Sequence, residues 1–347
     1  MSRLVLPHIQ SLAGYVPGEQ PRHGDVIKLN TNENPYPPSP RVQRAVRDAV
    51  TDRLRLYPDP LATELRQAAA ELHGVEPEMI LAGNGSDDVL TIVTRAFVGP
   101  GDLAAYPSPS YLLYSTLIGL QNGRAHVVPY AADWSLDPSS VARPGLKLAY
   151  LANPNSPSGT ALSREQVGAL ARSLECPLVV DEAYVDFAED HCIPLVRELP
   201  NVIVTRSFSK GYSLAGIRLG YLIARPEVVA QLMKVKDSYN CDTLSIVAGT
   251  AALKDQEYLA HTRSRILASR NRLTSELREA GYDVPESQGN FVWATGGPPA
   301  EETYRRLRDQ GILVRLMEYP GSPSGLRVSV GTDPQIDRFL EALRDRR

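Results

Sequence analysis

The sequence predicts an α/β fold with a mostly parallel central sheet in a large domain, followed by a smaller α+β domain. Short β-branched runs alternate with longer Ala/Leu-rich stretches of helical period, and turns rich in Pro and Gly separate them. The apolar runs show little polar alternation, which is typical of strands buried on both faces of a parallel sheet. With 347 residues, the chain is long enough for two domains of unequal size.

The composition divides the chain into three parts. Residues 1–40 carry so many Pro, Asn and Gly that we expect an arm without regular structure, lying on another surface. Residues 41–255 hold the alternating pattern and form the predicted large domain. Residues 256–347 begin with a long charged helix through Ala280 and continue as strand, helix, strand, strand and helix. We expect part of the arm to pack with this smaller domain.

Individual elements follow from local patterns. Residues 61–73 place Leu61, Leu65 and Leu72 at helical spacing and end before Gly74, which predicts a helix. Buried strands are predicted at 103–106, 147–152, 178–181, 202–206 and 219–224.

The composition also excludes several classes of protein. The net charge of −3 is spread along the chain, so no basic surface for nucleic acid or an anionic membrane is expected. There is no signal-peptide pattern and no long apolar stretch, which predicts a cytoplasmic protein with a small-molecule partner. Cys176, Cys192 and Cys241 are widely spaced and odd in number, so we expect buried free thiols.

A Gly-x-Gly turn provides the first candidate site. A strand ends at Leu81, Gly83 and Gly85 follow, and a helix begins near Ser86. The free N–H groups and positive end of that helix suit a phosphate. Asp88 stands where a dinucleotide fingerprint would have its third glycine, which disfavours a nucleotide site. An ordinary strand-to-helix turn is the alternative.

Asp181 is the second candidate. It follows the buried run of Val179 and Val180, at the sheet edge where α/β proteins bind ligands. The alternatives are an ion pair, a helix cap or a metal ligand. No histidine forms HxH or HExxH spacing with nearby acids, so no metal is expected.

Lys210 is the third candidate, directly after the strand 202–206. Its ordinary pKa of ~10.4 would fall on burial or beside another cation, which favours attack on a carbonyl. Ser207, Ser209 and Arg218 supply donors suited to a phosphate. A solvated surface lysine is the alternative.

Residues 207–210 also read as SxxK, the nucleophile motif of acyl-serine hydrolases. That interpretation is disfavoured because no KTG or SDN motif is present and because Ser207 follows a strand instead of opening a helix. A non-catalytic ligand sensor would need an added output module, for which the sequence shows no segment.

Together, these motifs resemble fold-type-I aminotransferases dependent on pyridoxal 5′-phosphate, and specifically their histidinol-phosphate aminotransferase branch. The resemblance runs from LNTNENPY (29–36) to GLRVSVGT (325–332). It implies that Lys210 holds the cofactor as a Schiff base and moves a proton at the substrate, and that Asp181 keeps the pyridine nitrogen protonated. It also implies that Tyr184 binds the 3′ oxygen and that Tyr111 stacks on the ring.

The same resemblance assigns the cofactor phosphate and the substrate. Tyr57 would reach the phosphate from a neighbouring subunit, which implies a homodimer; a tyrosine that only fixes a loop is the alternative. Arg327 and Arg315 would grip acidic substrate groups, and Tyr15 with Asn32 to Asn34 would cover the substrate. The phosphate contacts within the chain would be Gly85, Ser86, Asp87, Ser207, Ser209 and Arg218.

One position departs from the family pattern. The family often has an asparagine just before the proline of PNNPTG, where it contacts the 3′ oxygen, but here Ser156 stands in that place. We expect Asn155 to take over, because a carboxamide donates with a reach that serine lacks.

The implied reaction is transamination between a small-molecule amino donor and a 2-oxo acid acceptor, with ping-pong kinetics. The preferred pair is histidinol phosphate and 2-oxoglutarate, giving imidazole acetol phosphate and glutamate. An aromatic amino acid or a specialised-metabolite precursor as substrate, and decarboxylation of threonine phosphate, stay open.

Overall fold

In the computed structural model, residues 4–14, 18–21 and 26–345 are described, and they form three β-sheets with surrounding helices. The strands are β1 (Ile27–Lys28), β2 (Ile80–Gly83), β3 (Leu103–Ser108), β4 (Arg124–Pro129), β5 (Leu146–Ala152), β6 (Leu178–Asp181), β7 (Val202–Ser207), β8 (Gly220–Ile223), β9 (Phe291–Ala294), β10 (Ile312–Leu313), β11 (Arg315–Met317) and β12 (Gly325–Ser329). The helices are α1 (Pro7–Ser11), α2 (Pro40–Ala49), α3 (Thr63–His73), α4 (Ser86–Phe97), α5 (Leu113–Leu120), α6 (Pro138–Val141), α7 (Arg164–Ser173), α8 (Ile193–Glu198), α9 (Pro226–Leu232), α10 (Thr243–Leu253), α11 (Gln256–Glu279), α12 (Ala300–Asp309) and α13 (Asp333–Arg344).

The largest sheet has seven strands in the order β2-β8-β7-β6-β5-β3-β4. Strands β3 to β7 run parallel to one another, and β8 runs antiparallel to β2 and β7. The predicted α/β fold with a mostly parallel sheet is therefore confirmed. Strand β4 was not predicted. It forms the sheet edge and most of its residues are exposed or half-buried, so it lacks a continuous apolar run.

Both faces of this sheet are covered by hydrophobic core. Along β6, Leu178 and Val180 belong to one buried cluster, and Val179 between them belongs to another. Since successive side chains of a strand point to opposite faces, a continuous apolar run is required here. This explains why the predicted strands lacked polar alternation.

The helices predicted from periodicity are also confirmed. The helix expected at 61–73 begins at Thr63, because Ala62 adopts a left-handed conformation with φ of 48°. It ends at Gly74, which is also left-handed (φ of 61°), where glycine has no steric penalty. The long charged helix after residue 255 is α11.

The C-terminal part contains the antiparallel sheet β11-β12-β9 and the short parallel pair β1-β10. This part has one strand more than predicted. We attribute the difference to β10, which is only two residues long and therefore has no recognisable pattern in the sequence. The arm is not wholly irregular: α1 and β1 form, and Ile27 of β1 pairs with Ile312 of β10. Leu29 then enters the hydrophobic cluster of the C-terminal part. These contacts support the proposed packing of the arm against the smaller domain.

Within the described part of the chain, no helix combines the length and apolar composition that crossing a bilayer requires. Cys176, Cys192 and Cys241 are all buried and free, as predicted.

Candidate active site

A cavity of about 440 Å³ lies where the carboxyl ends of β3, β5, β6 and β7 meet, as expected for ligand sites in α/β folds. Each of these strands, or the loop that follows it, delivers residues to the cavity. The arm, the start of α4, residues 215–218 and the strands β11 and β12 contribute the remaining wall. Its wall includes Thr31, Glu33, Ser86, Asp87, Tyr111, Ser156, Asp181, Tyr184, Ser207, Ser209, Lys210, Arg218, Arg315 and Arg327.

One end of the cavity is built around the beginning of α4. Gly85 is the N-cap residue with φ of 89°, and Ser86 is the first helical residue, as predicted. A Cβ atom on Gly85 would lie 2.6 Å from Arg218 Nη2, and one on Gly220 would lie 2.6 Å from Ser86 N. Gly85 therefore allows the close approach of Arg218 to the start of α4, and Gly220 allows the close approach of β8 to the same helix start.

The donors at this end converge. Arg218 Nη1 lies 3.4 Å from Ser209 Oγ, and Arg218 Nη2 lies 3.7 Å from Asp87 Oδ2. Ser207 and Ser209 are both buried, and Ser209 N donates to Ser207 Oγ. A helix N-terminus, a guanidinium and two hydroxyls fit a phosphate dianion.

Asp181 is buried at the end of β6. Its carboxylate accepts hydrogen bonds from Tyr114 Oη (2.8 Å), Thr205 Oγ1 (3.2 Å) and Ala183 N (3.2 Å). Burial raises the pKa of Asp181 to about 6, although the bonds from Tyr114 and Thr205 act in the opposite direction. A buried carboxylate facing a cavity is suited to bind a protonated ring nitrogen.

Lys210 lies three residues beyond the end of β7 and faces the same cavity. Its Nζ donates to the backbone oxygen of Thr31 at 2.9 Å and lies 5.8 Å from the centre of the Tyr184 ring. Burial, reinforced by the charge of Arg327, lowers the pKa of Lys210 to about 8. The solvated alternative is therefore excluded, and the amine is close to its neutral, nucleophilic form.

Two tyrosines complete the inner wall. Tyr184 Oη accepts from Asn32 Nδ2 at 3.1 Å, and its ring packs edge-on against Phe291. Tyr111 Oη donates to Asp87 Oδ1 at 3.1 Å. Both tyrosines line the cavity, in agreement with their predicted location.

The opposite wall is basic. Arg315 and Arg327 are paired in register on β11 and β12, so both reach the cavity from one face of the small sheet. Arg327 donates to Ser156 Oγ at 2.9 Å and to the Asn30 backbone oxygen at 3.1 Å. Two guanidinium groups here suit a carboxylate or a phosphate.

Two predicted ligand residues have other hydrogen-bond partners in this structure. Asn155 is not among the residues that line the cavity, and its Nδ2 donates to Pro109 O and Ser158 Oγ; Ser156 faces the cavity instead. Asn34 is also outside the lining, because its Nδ2 donates to the Gly211 backbone oxygen. Asn34 thus binds the residue next to Lys210, and its predicted contact with the substrate stays a prediction.

Two further predicted site residues, Tyr15 and Tyr57, are not found at this cavity among the described residues. Tyr15 lies outside the described residues. Tyr57 lies away from this cavity: 81% of its surface is exposed, and its ring stacks on Tyr239 at 4.5 Å.

Sequence reasoning missed Tyr114, Thr205 and Thr31, and it included Glu33 only within the range Asn32 to Asn34. Tyr114 and Thr205 hold Asp181, and Thr31 binds Lys210. Glu33 lines the cavity and is bonded by Lys28 and Thr31, and those bonds lower its pKa although burial opposes this. Only Tyr114 had a usable signal: it lies three residues after Tyr111, near the start of a helix.

The site separates the rival interpretations. Ser207 is the last residue of β7, so the residues resembling SxxK do not open a helix, and the acyl-serine alternative fails on geometry. A lysine of lowered pKa, a buried carboxylate and an anion-binding helix start share one cavity, which is the site of a pyridoxal-phosphate type of enzyme.

Comparison with known proteins agrees with this class. Residues 24–343 match the family model described as aminotransferase class I and II, and the chain belongs to that family. It is 51% identical over 338 residues to a histidinol-phosphate aminotransferase of Rhodopirellula baltica, with 96% of this chain and 93% of that protein covered. A second relative of the same name, from Syntrophotalea carbinolica, is 46% identical over 342 residues, covering 97% and 98% of the two chains.

A solved structure is similar over the same length. The histidinol-phosphate aminotransferase of Sinorhizobium meliloti, in complex with pyridoxal-5′-phosphate, has a TM-score of 0.91 and 31% identity, with 98% of this chain and 97% of that chain covered. The fold-type-I class implied by the motifs is thereby confirmed.

Proposed function

We propose that this protein is a pyridoxal 5′-phosphate-dependent aminotransferase that uses histidinol phosphate and 2-oxoglutarate and forms imidazole acetol phosphate and glutamate. One observation carries the proposal: Lys210, Asp181 and the start of α4 line a single cavity. The substrate pair is supported by the names of the relatives, and the cofactor by the Sinorhizobium meliloti complex.

The cavity residues fit each part of this cofactor. Gly85, Ser86, Ser209 and Arg218 would hold its phosphate, with Asp87 and Ser207 beside them. Asp181 would bind the ring nitrogen, Tyr111 would lie on the ring, and Tyr184 would bind the 3′ oxygen. At the position where family members often have asparagine, Ser156 is the residue that faces the cavity.

When bound, pyridoxal 5′-phosphate supplies a carbonyl that takes up the amino group and a protonated ring that withdraws electrons from the substrate's Cα. Lys210 removes the proton from that carbon and returns one in the reverse direction, for which a pKa near 8 is well matched. Asp181 keeps the proton on the ring nitrogen. The donor product leaves before the acceptor enters, which predicts ping-pong kinetics.

The basic wall of the cavity suits acidic substrates that carry a further polar group. Arg315 and Arg327 suit both the phosphate of histidinol phosphate and the carboxylates of glutamate. Glu33 adds an ionised hydrogen-bond acceptor in the same cavity. The imidazole N–H of histidinol phosphate can donate to it, whereas the phenyl ring of phenylalanine has no donor. These features favour histidinol phosphate over phenylalanine as the amino donor.

We also propose a homodimer in which Tyr57 reaches the phosphate of the other subunit's cofactor. Tyr57 lies outside its own cavity and is highly exposed, as this role requires. The cytoplasmic location stays a prediction.

Absorption spectroscopy tests the function directly. The purified protein is loaded with pyridoxal 5′-phosphate and mixed, in single-turnover experiments, with histidinol phosphate, glutamate or phenylalanine. Conversion of the cofactor to its amine form with the first two establishes the proposed pair. Conversion with phenylalanine alone would keep the reaction and replace the substrate, and no bound cofactor would refute the proposal.

Threonine phosphate provides a separate test of the reaction type. A transaminase releases no carbon dioxide from it, whereas a decarboxylase does. Carbon dioxide release at a rate exceeding amino transfer from histidinol phosphate would replace the proposed activity with decarboxylation.

A further inference from the structure

Tyr114 lies inside the protein beside the carboxylate of Asp181. It is the second residue of α5, and its side chain has no exposed surface. Its hydroxyl donates to Asp181 Oδ2 at 2.8 Å, the shortest of the three hydrogen bonds to this carboxylate. Tyr114 is not among the residues that line the cavity, so it acts on a bound molecule only through its neighbours.

The ring of Tyr114 has a second contact at the site. It packs edge-on against Tyr111, with 5.7 Å between ring centres and 85° between planes. Tyr111 in turn donates to Asp87, which pairs with Arg218. A continuous chain of contacts therefore joins Asp181 to the phosphate end of the cavity through Tyr114.

We infer that Tyr114 is a positioning residue of the transamination reaction, which holds Asp181 ionised toward the ring nitrogen and fixes Tyr111 along the ring face. The inference rests on the proposed function, because it assigns Tyr114 a role toward the cofactor of that reaction.

The physical reason is the cost of a buried charge. A carboxylate without donors in a dry site is most stable when protonated. Burial and the negative charge of Asp87 both favour the protonated form of Asp181, and the donors Tyr114, Thr205 and Ala183 N oppose them. Tyr114 remains a donor, because burial and the nearby Asp181 raise the pKa of its phenol.

Removal of the Tyr114 hydroxyl should change how the proton is shared between Asp181 and the ring nitrogen of the cofactor. In the Tyr114→Phe variant, the Asp181 carboxylate loses its shortest bond and becomes more basic. The proton shared with the cofactor's ring nitrogen then lies more on Asp181, and the ring withdraws electrons less strongly. A hydrogen bond to a charged group corresponds to about a tenfold or larger change in this equilibrium.

The test is nitrogen-15 NMR of the holoenzyme loaded with pyridoxal 5′-phosphate labelled at the ring nitrogen. In the wild type, we expect the chemical shift of a protonated ring nitrogen. In Tyr114→Phe, we expect a shift toward the unprotonated value, with a fall in kcat and little change in KM. Such a KM-against-kcat split would not follow from a general loss of packing.

Tyr150 provides a matched control. Its ring stacks on Tyr114 at 4.7 Å, and it is equally buried, but its hydroxyl bonds to Thr94 and not to Asp181. Tyr150→Phe should leave the nitrogen shift unchanged. Thr205→Val, which removes the longer bond of 3.2 Å, should give a smaller shift in the same direction as Tyr114→Phe.

The outcomes separate this inference from the proposed function. A wild type that binds no cofactor refutes the proposed function. A wild type with a protonated ring nitrogen, together with no shift in Tyr114→Phe or an equal shift in Tyr150→Phe, overturns the role of Tyr114 and leaves the proposed function intact.

Discussion

Lys210 and Thr31 are 179 residues apart in the chain, yet Lys210 Nζ donates to the Thr31 backbone oxygen at 2.9 Å. This bond joins the N-terminal arm to the loop after β7. It holds the amine in the cavity beside Arg327, whose charge helps to lower the lysine pKa.

Substitution of this amine should abolish the reaction. Lys210→Ala should lose covalent attachment of the cofactor and all measurable turnover, because the described residues that line the cavity include no second lysine. Circular dichroism should still show the native fold. Borohydride reduction followed by mass spectrometry measures the attachment, and the exposed Lys234→Ala variant is the control. Normal turnover in Lys210→Ala would refute the assigned role.

The lowered pKa of Lys210 predicts a specific pH dependence. Only the neutral amine attacks a carbonyl, so the rate of cofactor attachment to the apoprotein should rise through a midpoint near pH 8 and level off above it. Burial sets most of the shift, and the charge of Arg327 adds to it. In Arg327→Met the midpoint should therefore move upward. Stopped-flow absorbance measures the rate, and an identical midpoint in both proteins would contradict the role of Arg327.

Asp181→Asn should bind the cofactor but react much more slowly. Asparagine keeps the shape of the side chain but has no negative charge to stabilise a protonated ring nitrogen. We therefore expect kcat to fall by at least about 100-fold. Rapid-mixing kinetics with glutamate measures this loss, and cofactor absorbance confirms occupancy. Turnover within a few-fold of wild type would show that Asp181 has only a structural function.

The sequence revealed the fold and the inner site because both depend on local patterns. Asp181 ends one apolar strand and Lys210 lies three residues beyond the next, so the parallel sheet brings both to one edge. Thr31 could not be found in this way, and Glu33 was included only through the family resemblance. The arm has no periodicity, and its position depends on contacts such as the hydrogen bond from Asn32 N to Ser329 Oγ.

Asn155 shows a different limit. Its carboxamide has a longer reach than the Ser156 hydroxyl, so we expected Asn155 to bind the 3′ oxygen. In the structure, the loop directs its amide toward Pro109 O and Ser158 Oγ. The choice between adjacent residues depends on backbone direction, which sequence patterns do not specify.

Substitution of Arg315 or Arg327 should weaken substrate binding. Both guanidinium groups line the cavity, and Arg327 is held there by Ser156 and the Asn30 carbonyl, so Arg327→Lys and Arg315→Lys should each raise KM for glutamate and for histidinol phosphate. Loss of one charged hydrogen bond predicts an increase of about 10-fold to 100-fold. Steady-state kinetics with each donor measures the pattern, and unchanged KM values in both variants would place substrate binding elsewhere.

The dimer proposal can be tested by mixing two inactive variants. Tyr57→Ala should weaken cofactor binding, because a phosphate contact from the neighbouring subunit is lost, and Lys210→Ala should be inactive. After the subunits are exchanged, a mixed dimer contains one site with Lys210 from the first chain and Tyr57 from the second. After random reassociation of equal amounts of the two variants, half of the dimers are mixed and each has one complete site, so activity should return toward about one quarter of wild type. Tight cofactor binding by a monomer on size-exclusion chromatography, or no recovery on mixing, would show that Tyr57 acts only within its own chain, where its stacking on Tyr239 would be its role.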